Sequence, residues 1–277
     1  MNKVVKRLLT FFIGVPLVLF IVWFDYLNHL ALHIAFSVFT FFAAIELWNM
    51  LSKKVKLYPK YLITFLTALL PVISYIFIML GKSIEITQWI LIFEFIFLMG
   101  IEVFVSKTFE NSVEKITRSL FILVYGGFLM TFLARIITLE NSTHIFALFI
   151  IYVFMCDSAA WFFGILFGKN NRGLFPASPN KSIAGFVGGI TTSILCGIIF
   201  KLIFPEIITA EFWKVIVLGF FTAVAAVIGD IIESVIKRSC EVKDSGNIIP
   251  GRGGVLDSID SIIVAAPVFY IVYYFLF

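Results

Sequence analysis

The sequence predicts an all-α, polytopic membrane protein with about nine transmembrane helices and a cytoplasmic N-terminus. Three observations predict it. Apolar residues make up 61% of the 277-residue chain and charged residues only 14%, whereas a soluble domain is roughly half apolar and a quarter charged. Apolar runs long enough to cross a bilayer, about 20 residues each, recur along the whole chain. Basic residues gather in every second connection between those runs.

The runs cover roughly 8–24, 30–51, 61–80, 88–106, 117–137, 143–168, 183–204, 212–236 and 255–277. The first follows Lys3, Lys6 and Arg7, as in a signal peptide, but Phe24-Asp25-Tyr26 is no small-residue cleavage site, so it reads as a retained span. One set of connections then carries Lys53, Lys54, Lys56, Lys60; Lys107, Lys115, Arg118; Lys169, Arg172, Lys181; and Lys237, Arg238, Lys243, Arg252. With the N-terminal three, these are 17 of the 21 basic residues, and Lys82, Arg135, Lys201 and Lys214 alone remain for the other side. The positive-inside rule therefore puts the N-terminus in the cytoplasm and the C-terminus outside. The expected location is the cell (inner) membrane, with the functional loops on the cytoplasmic side.

Composition also excludes. The formal charge of +4 does not call for nucleic acid, because the placement of Lys and Arg in a membrane protein follows topology. Cys156, Cys196 and Cys240 form no CxxC pair, and His29, His33 and His144 lie far from the charged loops, so a thiolate or imidazole metal site is not expected. Residues 1–140 read as scaffold. Glu46 and Glu102 sit near cytoplasmic helix ends and are expected to snorkel; Glu94 lies deeper, and the sequence offers no account of it. Residues 141–277 read as the catalytic region.

Three features there carry chemistry. The first is Cys156-Asp157-Ser158-Ala159-Ala160-Trp161 inside the sixth span. Asp157 is roughly 16 Å from the basic end at 1.5 Å per residue, a depth at which an acid is expected to face protein, water or a cation. Ser158, Ala159, Ala160 and Gly164 also suit close helix packing. The second is the turn-rich stretch Ser178-Pro179-Asn180-Lys181-Ser182, which opens a helix and sets hydroxyls, an amine and N–H groups side by side, as polyphosphate requires.

The third runs from Gly229 to Ser261. Asp230, Glu233, Ser234 and Lys237 fall at i, i+3, i+4 and i+7 on one helix face, and Asp257, Asp260 and Ser261 repeat the spacing at the start of the last helix. A short loop makes the two helices antiparallel neighbours, so Asp230, Asp257 and Asp260 are candidate oxygen ligands for Mg²⁺ or another divalent cation, with Asp157 as a fourth member. Between them Gly246, Gly251, Gly253 and Gly254 allow backbone to approach a ligand, ringed by Lys237, Arg238, Lys243 and Arg252.

This third stretch resembles the signature of the phosphatidate cytidylyltransferase (CDP-diacylglycerol synthase) family. The matching residues are Ser234, Lys237, Arg238, Lys243, Asp244, Pro250, Gly253, Gly254, Asp257, Asp260 and Ser261. The stretch from Asp157 through Ser178–Ser182 to Gly185 is similar to the family's second pattern, so the resemblance spans about residues 150–265. It departs at Arg252, where the familiar motif has His; at Ser258, where Arg is frequent; and at Ala184, where many members carry an acid.

The resemblance implies a reaction of CTP with phosphatidic acid to give CDP-diacylglycerol and pyrophosphate, among membrane lipids and with a divalent cation. It implies catalytic roles for Asp230, Lys237, Arg238, Lys243, Asp244, Asp257 and Asp260. Substrate contacts fall to Ser178, Asn180, Lys181, Ser234, Arg252, Gly253, Gly254 and Ser261. Homo-oligomerisation is left open. Two rival readings, a cation-coupled transporter and a CTP-dependent lipid kinase, lack support from an internal repeat or from the complete Lys-Asp to Asp-x-x-Asp-Ser run, respectively.

Overall fold

The computed structural model describes residues 16–249, 251 and 253–277. Most of the expected first span therefore lies outside the described residues, as do Pro250 and Arg252; positions 16–23 are helical. Among the described residues, eight further helices are each long and apolar enough to cross a membrane: α1 (Tyr26–Leu51), α2 (Lys60–Met79), α3 (Ile86–Val105), α4 (Ser112–Ile137), α5 (Ser142–Phe167), α6 (Ile183–Ile203), α7 (Phe212–Ser239) and α8 (Leu256–Leu276). The described residues form no strand beyond isolated bridges. Large apolar side chains such as Phe104 (89% exposed) and Tyr61 (79%) point outward from the helices, where lipid is the solvent that suits them. The chain is an integral membrane protein.

It divides into two compact units. The first comprises the described part of Met1–Thr138 together with Cys240–Ser258; the second is Leu139–Ser239 with Ile259–Phe277.

In the first unit α1 packs on α2 and on α4. Regular α1 starts near residue 30, as the apolar run indicates, because Leu27, Asn28 and His29 are left-handed. α4 contains a π-helical segment, Ile122–Phe128, around Gly126 and Gly127. A Cβ on Gly127 would lie 2.9 Å from the Thr67 carbonyl oxygen. That carbonyl is the one Pro71 leaves without its helical N–H donor, so glycine and proline together let α2 and α4 close.

The second unit also closes on a glycine, here without a proline. A Cβ on Gly189 of α6 would meet the Cys156 carbonyl oxygen of α5 at 2.8 Å. Tyr152 ties the helices together: its hydroxyl donates to the Val215 carbonyl at 3.0 Å, and its own carbonyl accepts from Ser193 Oγ at 2.9 Å. On α7, Gly229 lies against α8, where a Cβ would be 2.5 Å from the Asp260 carbonyl oxygen and 3.1 Å from Ser261 Cα. That close approach decides where the carboxylates meet.

Candidate active site

Asp230 and Glu233 are one turn apart on α7, and Asp260 comes from the first turns of α8. One oxygen from each lies within 4.8 Å of the others. Glu233 is buried at 1% exposure and Asp260 at 8%. Two ammonium groups reach this cluster. Lys181, in the turn before α6, pairs with Asp230 at 2.5 Å, and Lys237, one turn beyond Glu233, pairs with Glu233. Sequence spacing thus brings Asp230 and Asp260 together as expected. It also shows Glu233 on the same face, a residue the sequence reading left out of the ligand set although its i+3 relation to Asp230 signals it.

The fit to a divalent cation follows from the donors. All three are carboxylate oxygens, the ligands hard cations select. Octahedral Mg²⁺ with bonds of about 2.1 Å places its ligand oxygens roughly 3–4.2 Å apart, so small rotations of these side chains close the set. Asp157, half-buried on α5, accepts a long 3.4 Å hydrogen bond from Ser261 Oγ. This ties the deep acid to the helix that carries Asp260.

The second segment is a capped helix start. Ser182 Oγ accepts from the Gly185 N–H at 3.1 Å, and the Lys181 N–H donates to the Ser178 carbonyl at 3.1 Å. The turn leaves Asn180 exposed and aims Lys181 at α7. Arg238 Nε donates to the Ala177 carbonyl at 3.3 Å, which holds this turn beside the end of α7. Ser234 is half-buried on the Asp230 face.

Asp257 and the glycine-rich loop belong to the first unit. Asp257 Oδ2 accepts from the Ser245 N–H (2.9 Å), Ser245 Oγ (2.9 Å) and the Gly254 N–H (2.7 Å). Ile249 and Gly253 exchange backbone hydrogen bonds of 2.8 and 3.1 Å, a closure that Gly253 allows with φ +119. The N–H groups of Gly253 and Gly254 thus donate within the loop, to the Ile249 carbonyl and to Asp257 Oδ2. Lys243 and Asp244 are exposed.

The snorkelling expected of Glu46 and Glu102 is not what the structure shows. Both are buried, at 3% and 6% exposure. Glu102 accepts from Ser112 Oγ, Lys115 Nζ and the Tyr58 hydroxyl at 2.7–2.9 Å. Glu46 accepts from the Val255 N–H (2.9 Å), the Leu256 N–H (2.8 Å) and Ser245 Oγ (2.8 Å). Donors brought from elsewhere in the chain replace the water that a snorkelling carboxylate would seek. Glu94 is buried with no hydrogen-bond partner for either oxygen.

Comparison with known proteins adds a relationship to this geometry. The Cytidylyltransferase family matches residues 5–276. The chain is 35% identical over 185 residues to a phosphatidate cytidylyltransferase of Bacillus subtilis, covering 65% of this chain and 66% of the relative. It is 38% identical over 159 residues to one of Haemophilus influenzae (53% and 54%) and 35% identical over 156 residues to one of Aquifex aeolicus (56% of each). These matches span about half to two thirds of the relatives' length.

Proposed function

This chain belongs to the cytidylyltransferase family, and on that premise we propose that it joins CTP to phosphatidic acid, forming CDP-diacylglycerol and releasing pyrophosphate in phospholipid biosynthesis. The observation that carries the reading is the Asp230–Glu233–Asp260 cluster with Lys181 and Lys237 set against it. In the reaction, a phosphate oxygen of phosphatidate bonds to the α-phosphorus of CTP, and the bond from that phosphorus to pyrophosphate breaks. The attacking oxygen is already ionised near neutral pH, so no side chain has to take a proton from it. The barrier lies in bringing two polyanions together in line.

The residues suit that task. Asp230, Glu233 and Asp260 would hold a divalent cation such as Mg²⁺, which when bound supplies positive charge to phosphate oxygens. Among the described residues, Lys181 and Lys237 offset two of the three carboxylate charges, and a divalent cation would add the positive charge a phosphate requires. Lys181 and Lys237 orient Asp230 and Glu233, and each can exchange its carboxylate for a phosphate oxygen. Asp157 supports Asp260 from behind through Ser261.

The site faces the cytoplasm in this reading, since Lys181, Lys237, Arg238 and Lys243 belong to the basic set of connections. Reporter fusions near residues 172 and 245 should report the inner side, and fusions at 141 and 277 the outer; a cytoplasmic signal at 277 contradicts the arrangement. The activity itself is tested by incubating purified protein with labelled CTP and phosphatidate. CDP-diacylglycerol and pyrophosphate, abolished by chelation, are expected. A phosphorylated lipid alcohol with release of CDP would contradict the reading.

A further inference from the structure

We propose that Glu46 is a positioning residue for the reaction: from α1 it holds the glycine-rich loop and the start of α8 in their working shape. Its role rests on the reading that this loop and Asp257 serve the transfer. Glu46 lies 199 residues from Ser245 and 210 from Leu256, and its carboxylate accepts from both.

The geometry is that of a cap supplied from outside. The Val255 and Leu256 N–H groups stand at the start of α8, where a helix has no internal acceptors of its own. Glu46 takes one on each oxygen, and its negative charge lies at the positive end of the helix dipole. Ser245 Oγ stands between Glu46 Oε2 (2.8 Å) and Asp257 Oδ2 (2.9 Å), with one proton to give to either. The hydroxyl therefore links the position of Asp257 to that of Glu46.

The loop is also shaped around this carboxylate. A Cβ on Gly246 would come within 2.9 Å of Glu46 Cδ, and one on Gly254 within 2.6 Å. A carboxylate held by three donors cannot swing aside without breaking them. Two glycines of the loop thus owe their identity to Glu46, as well as to any ligand.

Variants at Glu46 and Gly246, read by turnover and by hydrogen exchange, test this. Glu46→Gln keeps the volume, but its amide nitrogen faces an N–H donor instead of accepting from it. It should lower kcat by about tenfold or more, with KM for CTP changed less than about threefold. It should also raise amide hydrogen exchange across 245–256 without raising it in α5 or α6 of the full-length, detergent-purified protein. Gly246→Ala should be damaging alone yet cost little further in a Glu46→Ala background, because the methyl then fills the emptied space. Wild-type kcat in Glu46→Gln overturns the proposal, as does unchanged exchange across 245–256 or additive losses in the double variant. The exchange readout needs no turnover, so a wild-type protein that makes no CDP-diacylglycerol fails the functional reading separately, while the exchange result still decides whether Glu46 holds the loop.

Discussion

Buried carboxylates occur in both units, and what they meet differs. In the first unit Glu102 and Glu46 each accept three hydrogen bonds from hydroxyl, ammonium or backbone N–H groups. Glu102 is paired with the Lys115 ammonium, and each oxygen of Glu46 faces a backbone N–H at the start of α8. In the second unit Asp230, Glu233 and Asp260 meet one another, with Lys181 and Lys237 beside them among the described residues. Like charges gathered at low dielectric are unfavourable without further positive charge. Burial alone therefore does not distinguish an acid that holds the backbone from one suited to hold a cation; the company it keeps does.

The sharpest way to break that comparison is to neutralise one member on each side. Asp230→Asn and Asp260→Asn should each lower turnover by about 10²-fold or more at limiting Mg²⁺, since each removes a charge and a strong ligand. Glu102→Gln should leave turnover within about threefold and instead lower thermal stability, because it weakens a satisfied ion pair. Equal losses of turnover in all three variants would erase the distinction. Arg252, outside the described residues, comes next: Arg252→Ala should remove about 2–3 kcal/mol of transition-state stabilisation if its guanidinium clamps a phosphate, and Arg252→Lys should keep part of it. Normal turnover of a folded Arg252→Ala protein across a range of CTP and phosphatidate concentrations would assign it to topology alone. Smaller again is Lys181→Ala, expected to lower kcat/KM by roughly tenfold through loss of one cation at Asp230.

Much of this was legible in the sequence, for identifiable reasons. The helices follow from apolar runs of bilayer length. The meeting of Asp230 with Asp260 follows from helical spacing on two segments joined by a short loop, because such segments pack antiparallel. Glu233 carries the same signal, one turn from Asp230 on the same helix face. Glu46 carried none beyond its position: a partner 199 residues away leaves no local pattern, and a carboxylate near a helix end ordinarily reaches for water. The same long-range link explains why Cys240–Ser258 belongs with the N-terminal helices in the first unit, a grouping that linear order hides. The internal use of the Gly253 and Gly254 N–H groups was equally hidden, since glycine spacing shows freedom and not its use.

The central claim is that Asp230, Glu233 and Asp260 together bind the reaction's divalent cation. Mn²⁺ titration followed by electron paramagnetic resonance, on the purified full-length protein and its Asp230→Asn, Glu233→Gln and Asp260→Asn variants, tests it most directly. The account predicts that the tightest-bound ion of the wild type weakens by at least about tenfold in every one of the three. Wild-type Mn²⁺ affinity in folded Asp230→Asn and Asp260→Asn proteins would contradict it.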